Sequence, residues 1–247
     1  MRLANERLRA LLLERGATLA DLAAAVEVDP KTVERWITQG RTPYRRHRFA
    51  VAAFLGVDEA YIWPNALSRE QVASASQNEI ITVYPHRWAV PRDTWGRLFG
   101  EAEREIGVLV YSGLFLAEDA GMVRLFKDKA EAGVRVRILL GDPDSPEVAQ
   151  RGADEGIDDA MAARIRNALV LYRPIRGLEA VEIRLHRTIV YNSIYRADDQ
   201  YLVNTHVYGT PAAEAPVLHL RKVAGGDMVA TYANCFERVW ADAQPVD

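Results

Sequence analysis

The chain has 247 residues, 49% of them hydrophobic, and a formal net charge of −3. These values are ordinary for globular proteins and allow one large domain or two modest ones with buried cores. No apolar run reaches the roughly 18 residues that span a bilayer, and MRLANERLRA is charged where a signal peptide is apolar. Composition thus argues against a membrane partner and predicts a cytoplasmic protein.

Cysteine and histidine usage bears on redox chemistry and metals. The single cysteine, Cys235, cannot form an internal disulfide, and we interpret it as a structural thiol in the aromatic-rich helix TYANCFERVW. The five histidines form no HExxH motif, and one cysteine cannot give zinc-finger spacing. The sequence therefore predicts no metal site and no cofactor.

The first predicted elements are two short helices. Gly16 ends the first helix, in which the apolar residues Ala4, Leu8, Leu11 and Leu12 recur at helical spacing. Thr18 then stands at an N-cap position, with Asp21 in the first turn. The second helix has its apolar stripe at Leu19, Leu22, Ala23 and Val26.

A third helix is predicted to begin at Pro30, whose fixed φ suits a first helical position, with Asp29 as its N-cap. Its inward face consists of Val33, Trp36 and Ile37. Two short helices joined by a three-residue turn form a helix-turn-helix motif.

Basic residues concentrate at this third helix. Between Lys31 and Arg48, six Lys or Arg residues face one acid, Glu34. The first 64 residues carry a net charge of +2 and the remainder carries −5. Such a run is either a phosphate-contacting stripe or an ordinary solvated face, and the surrounding motif favours the stripe.

The stretch TLADLAAAVEVDPKTVERWITQGRTPYRRHRFAVAAFLGV resembles the lambda-repressor and Cro-like family of bacterial regulators, the XRE type. The shared features are an Ala-rich second helix, the segment VDPKTVERW, a Gly-Arg-x-Pro turn and a closing helix at Phe49, Ala52 and Ala53. The resemblance implies an all-α helix-turn-helix domain over residues 1–64 that reads double-stranded DNA in the major groove. A helical protein-interaction domain of the same shape is the alternative.

Candidate DNA-contacting residues follow from the outward face of the third helix. Arg35 and Lys31 are suited to guanine and Gln39 to adenine, whereas Glu34 either accepts from cytosine or pairs with Lys31. Arginines after the helix would neutralise phosphates. The predicted set is Lys31, Thr32, Glu34, Arg35, Thr38, Gln39, Arg41, Arg45 and Arg46.

Residues 65–79 are short of large apolar side chains and are predicted to be a linker or a lone connecting helix.

A second domain over 80–247 opens with a strand at Ile80–Val83. A helix in PRDTWGRLFGEAEREIG follows, with Trp95, Leu98, Phe99 and Ala102 on one face. The strand IGVLVYSGLFL, a helix over 119–132 and the strand VRVRILLGD then predict a parallel βαβ unit. Such units place ligands in loops at the carboxyl ends of strands, here 111–113 and 141–145. The fold class is α+β overall.

Two histidine-bearing strands, VEIRLHRTIVYNSI and QYLVNTHVYG, follow a helix over 158–172. Alternation puts His186 and Thr188 on one face of the first strand, and Asn204 and His206 on one face of the second. If the strands are adjacent, these four groups form a ligand-binding patch for a phosphate, carboxylate or nucleobase edge. Cross-strand hydrogen bonds under a covering loop are the alternative.

The order IGVLVYSG, AGVRVRILLGD and a histidine-bearing strand resembles the phospholipase D-like superfamily, which implies an α/β domain of that type over 80–247. Enzymes of the superfamily carry His-x-Lys followed by Asp. Here His186 keeps the histidine position, but Thr188 replaces the lysine and Ser193 the aspartate. Losing the cation removes on the order of 3 kcal/mol of transition-state stabilisation. We therefore predict no catalytic residue and no enzyme activity.

These features predict a bacterial DNA-binding transcriptional regulator whose degenerate second domain dimerises and senses a small, anionic effector. A homodimer is expected because two helix-turn-helix units read half-sites about one helical turn apart. Two other classes stay open. One is a DNA-targeted phosphodiesterase or nuclease that uses His186, and the other is a second domain that serves dimerisation alone.

Overall fold

A computed structural model describes residues 4–64 and 69–246, which divide into two compact units. The first unit extends to Asn78 and includes Val223–Asp227, and the second comprises Glu79–Lys222 and the chain from Met228 onward. Of the predicted linker, residues 65–68 lie outside the described residues, and residues 69–79 are helical. A helical region followed by a mixed α/β sheet confirms the α+β class.

Local side-chain caps begin the first three helices of the first unit. Asn5 caps the first helix, Thr18 and Asp21 form a capping box at the second, and Asp29 caps the third directly before Pro30. The second and third starts are as predicted. The helices are α1 (Glu6–Glu14), α2 (Leu19–Ala25), α3 (Pro30–Thr38), α4 (Arg45–Leu55), α5 (Glu59–Ile62) and α6 (Arg69–Glu79).

The core of the first unit contains most of the predicted apolar residues, including Val33, Trp36 and Ile37 of α3. One expectation about burial was wrong, since Leu19 is 38% exposed in the first turn of α2. Phe49 of the closing helix is 70% exposed on α4. Phe49 points outward because the inward stripe of α4 runs through Arg48, Val51, Ala52 and Leu55 at helical spacing.

The second unit contains a mixed sheet. Among the described residues its strands are β1 (Ile80–Tyr84), β2 (Glu105–Leu109), β3 (Arg135–Gly141), β4 (Val181–His186), β5 (Asn192–Ala197), β6 (Gln200–Thr205), β7 (Val217–Arg221) and β8 (Gln244–Pro245). Their order is β1-β7-β6-β5-β2-β3-β4-β8. The predicted βαβ unit is confirmed, since β2, β3 and β4 are parallel, and the other pairs are antiparallel.

Helices pack on both faces of this sheet. The helices are α7 (Arg92–Gly100), α8 (Leu114–Glu118), α9 (Ala120–Glu131), α10 (Pro146–Asp154), α11 (Ala160–Leu171) and α12 (Met228–Asp242). On one face Trp95 of α7 packs edge-on against Tyr195 of β5. On the other face Phe236 and Trp240 of α12 contact Arg137 of β3. No helix of the described residues is long and apolar enough to cross a membrane.

Two expectations about element boundaries were wrong. The helix expected within residues 91–107 ends at Gly100, and β2 begins at Glu105. The expected first histidine-bearing strand is broken, since β4 ends at His186 and β5 begins at Asn192. Residues 187–191 carry the chain across the sheet, so β3, β2 and β5 lie between β4 and β6. The strands bearing His186 and His206 are therefore not adjacent.

Candidate DNA-binding surface and ligand cavity

The predicted DNA-contacting residues lie on α3, on the turn after it and at the start of α4. All are exposed except Thr32, which is half-buried. The Thr38 hydroxyl donates to the Glu34 carbonyl at 2.8 Å, and the Arg46 Nε donates to the His47 Nε2 at 3.1 Å. The exposed set is Lys31, Glu34, Arg35, Thr38, Gln39, Arg41, Arg45 and Arg46.

Arg48 belongs to the same basic run but is buried. Its Nη1 donates to the Pro43 carbonyl at 3.0 Å, and its Nε lies 3.7 Å from the Glu59 carboxylate. This arginine therefore ties the turn before α4 to α5. Of the six basic residues in this run, Arg48 is buried and has a structural role. The other five are exposed and accessible to a phosphate.

The second candidate site begins at His186, which is 1% exposed at the end of β4. Its Nε2 donates to the Val110 carbonyl at 3.0 Å, and its Nδ1 accepts from the Thr188 backbone N–H at 3.4 Å. Burial lowers the pKa of His186, against the opposing effect of these hydrogen bonds. A neutral imidazole with both nitrogens in use joins two strand ends and has no free group for a ligand.

Among the described residues, neither Asn204 nor Thr188 lines the cavity that His206 reaches. Asn204 is fully buried on β6, and its Nδ2 donates to the carbonyls of Ala215 and Pro216 at 3.1 Å. Thr188 is half-buried in the segment between β4 and β5. The sequence left open whether Asn204 binds a ligand or only makes hydrogen bonds under a covering loop. The hydrogen bonds to Ala215 and Pro216 favour the second possibility.

His206 is the predicted residue that does reach a cavity. Its Nδ1 donates to the Val190 carbonyl at 3.0 Å, so its Nε2 accepts from the Ser193 hydroxyl at 3.0 Å. Burial lowers the pKa of His206 to about 4, and the charges of Arg151 and Arg87 add to this effect. His206 is thus a neutral acceptor held beside two arginines.

Tyr111 connects the two histidines. Its ring centroid lies 5.8 Å from that of His186 and 5.9 Å from that of His206. Its hydroxyl accepts from the Val190 backbone N–H at 3.3 Å. The two histidines therefore flank one aromatic ring although their strands are far apart in the sheet.

A cavity of about 90 Å³ lies beside Tyr111 and His206. The segment Tyr111–Gly113, which follows β2, forms part of its wall, as expected for a ligand site at the carboxyl end of a parallel strand. The charged and polar side chains in the lining are Arg87, Tyr111, Ser112, Arg151, Glu155, Arg164, Ser193, Tyr195 and His206.

Comparison with known proteins identifies the family of the second unit. Residues 77–247 match the family model described as a domain of unknown function, DUF5919. The chain belongs to this family. No curated protein matches it.

Two solved structures are similar to the chain. One is that of TrmBL2, an archaeal chromatin protein described as showing a novel mode of DNA binding, with a TM-score of 0.42 and 14% identity. That similarity covers 89% of this chain and 72% of TrmBL2. The other is Nuc, a phospholipase D family member from Salmonella typhimurium, with a TM-score of 0.38 and 15% identity. It covers 63% of this chain and 90% of Nuc.

Sequence reasoning did not identify most of the residues around the cavity of the DUF5919 domain. Arg87 follows β1, Arg151 lies on α10, and Ser193 and Tyr195 lie on β5. Ser193 stands at the aspartate position of the degenerate phospholipase D-like motif, and the other three residues belong to no motif that the sequence analysis identified. The available signal was the loop at the carboxyl end of β2, which marked where a ligand would bind but not which distant side chains would meet it there.

Proposed function

We propose that this protein is a DNA-binding transcriptional regulator of the XRE type with a DUF5919 domain that senses a small anionic ligand. The observation that carries the proposal is the exposed basic group on α3 and α4, presented by a capped helix-turn-helix. Exposed arginines beside a recognition helix supply phosphate contacts, and the outward residues of that helix read base edges.

DNA binding by the full-length protein tests the first half of this proposal. We expect fluorescence anisotropy with upstream duplex DNA to show binding that weakens as salt increases, because counterions are released. Arg45→Ala should reduce the slope of log K against log salt by about 1, and Arg35→Ala should cost about 1–3 kcal/mol and relax sequence preference. Arg124→Ala, at an exposed position on α9, is the matched control and should leave both unchanged. Equal losses in all three variants would argue against the proposed surface.

A homodimer is the proposed binding form, because one helix-turn-helix contacts a single half-site. Sedimentation should then give about twice the 27.7 kDa of one chain at micromolar concentration or on the operator. A single chain under both conditions would contradict the dimer and would leave a one-site regulator.

The DUF5919 domain is proposed to bind its ligand without hydrolysing it. Both ring nitrogens of His186 are bonded to backbone groups, and Thr188 supplies no cation beside it. A chromogenic phosphodiester should therefore remain uncleaved by the wild-type protein. Cleavage that disappears in His186→Ala would establish the phosphodiesterase alternative instead.

A further inference from the structure

Arg151 is a buried cation with one donor, Nε, that has no partner among the described residues. It is 8% exposed on α10, and its Nη2 contacts the Glu155 carboxylate one turn later. Its Nε makes no hydrogen bond to any described residue. Leaving a buried guanidinium donor without an acceptor is costly, so Nε is available for an acceptor other than Glu155.

Tyr195 of β5 is a second buried donor in the cavity lining. It is fully buried, and its hydroxyl makes no hydrogen bond of normal geometry to a described residue. Burial raises the pKa of Tyr195, while the nearby Arg87 and Ser193 oppose that rise. The hydroxyl therefore remains a donor, and Arg87 and Ser193 line the same cavity.

Charge and size define what the cavity can hold. Arg87, Arg151 and Arg164 contribute three positive charges to the lining, and Glu155 contributes one negative charge. A volume of about 90 Å³ is equivalent to about three water molecules in the liquid. An arginine fork matches the oxygen spacing of a carboxylate or phosphate. The chemistry selects a small group with several oxygen acceptors and a negative charge.

We propose that this cavity binds one oxyanion group, of carboxylate, sulfate or phosphate size, which accepts from Arg151, Arg87 and the Tyr195 hydroxyl. Ser193 is oriented by its hydrogen bond to His206, so its oxygen lies fixed in the wall. The inference deepens the proposed sensing function by naming the site and the ligand class, and it rests on that function only for its effect on DNA binding. The site differs from the His186, Thr188 and Asn204 patch expected from the sequence.

Calorimetric titration of the full-length protein tests the site directly, without DNA. The probes are sodium phosphate, sulfate and acetate, added at constant ionic strength against a sodium chloride background. We expect at least one probe to bind saturably at one site per chain. Preference among the three probes distinguishes a tetrahedral from a planar group. No saturable binding by any of them would overturn the proposal.

Two matched tyrosine variants test whether the Tyr195 hydroxyl donates to the bound probe. The control shows whether removing any buried tyrosine hydroxyl has the same effect. Tyr172 is also fully buried with a hydroxyl that makes no normal hydrogen bond, but it does not line the cavity. Tyr195→Phe should weaken binding of the best probe about tenfold, and Tyr172→Phe should leave it within twofold. Arg87→Gln should weaken it at least as much as Tyr195→Phe. Equal effects of the two tyrosine variants would overturn the assignment of Tyr195.

The proposed site and the proposed regulator fail in different experiments. If the probe binds and Tyr195→Phe lowers the affinity for the probe, the oxyanion site is supported. If the probe then leaves DNA affinity unchanged, only the proposed sensing function is contradicted. If DNA binds through Arg35 and Arg45 but no probe binds, the oxyanion site is wrong and the DNA-binding function stands. A probe-dependent change in DNA affinity that is lost in Tyr195→Phe supports both.

Discussion

His186 and His206 show how little a residue type says about its role. His186 is buried and His206 is half-buried, and both have each ring nitrogen hydrogen bonded. His186 uses only backbone partners, whereas His206 holds the Ser193 hydroxyl at the wall of a charged cavity. The same imidazole chemistry therefore serves packing in one place and orientation of a cavity hydroxyl in the other.

The depressed pKa of His206 predicts a loss of stability in acid. Above pH 6.5 the histidine is neutral in both the folded and the unfolded chain, so it contributes no pH dependence there. Between pH 6.5 and about 4 the unfolded chain takes up a proton that the folded protein excludes, and the free energy of unfolding falls. We expect a loss on the order of 3 kcal/mol across this window.

Urea unfolding of the wild type and of His206→Asn at pH 7 and pH 4.5 measures this contribution. Asparagine can still donate to the Val190 carbonyl but does not titrate. The wild type should lose more stability than the variant between the two pH values, because carboxylates and His186 contribute equally to both. Parallel losses would show that His206 titrates normally.

Glu105 is the central acid of a buried charge cluster and gives a second prediction at this scale. It pairs with Arg137 and Arg196, and Arg137 also reaches Glu237 of α12 at 2.6 Å. Glu105→Gln leaves the two buried guanidinium groups with one acid, so we expect a cost of about 3–5 kcal/mol in urea unfolding. Glu103→Gln, two residues earlier and exposed, should change stability by less than about 0.5 kcal/mol.

At the scale of elements, α12 is capped by a residue that is distant in sequence. Glu79, the last residue of α6, is fully buried and accepts from the backbone N–H groups of Met228 and Val229 at 2.8 and 3.0 Å. These are orphan donors of a helix N-terminus, and a carboxylate is favoured there by the helix dipole. One side chain thus fixes the start of β1 to the start of α12.

Removing this cap should loosen the beginning of α12. We expect Glu79→Ala to cost about 1–2 kcal/mol and to speed amide exchange in the first turn of α12. Glu79→Gln keeps one oxygen acceptor and should lose less. Glu101→Ala, at the exposed end of α7, is the control. Unchanged exchange at Met228 and Val229 in Glu79→Ala would show that water replaces the cap without cost.

At the scale of the whole molecule, two separate cores stabilise the two units. Leu22 belongs to the helical core, and Ile138 belongs to the core of the sheet unit. We expect Leu22→Ala and Ile138→Ala each to cost about 2–5 kcal/mol in their own unit, because both side chains are fully buried. Hydrogen exchange should show lost protection in α1–α4 for the first variant and in β2 and β3 for the second. Equal losses in both units from either variant would indicate a single cooperative core.

The sequence by itself determined the starts of α2 and α3 and the parallel β2–β3 pair. Caps at Thr18 and Asp29 and the apolar runs act within a few residues, so they are visible locally. Only the tertiary structure decided that residues 187–191 separate β4 from β5 and that β6 lies far from β4, because strand pairing is a nonlocal choice. It alone brought Arg87, Arg151 and Tyr195 to one cavity, since these residues come from distant elements and share no sequence spacing.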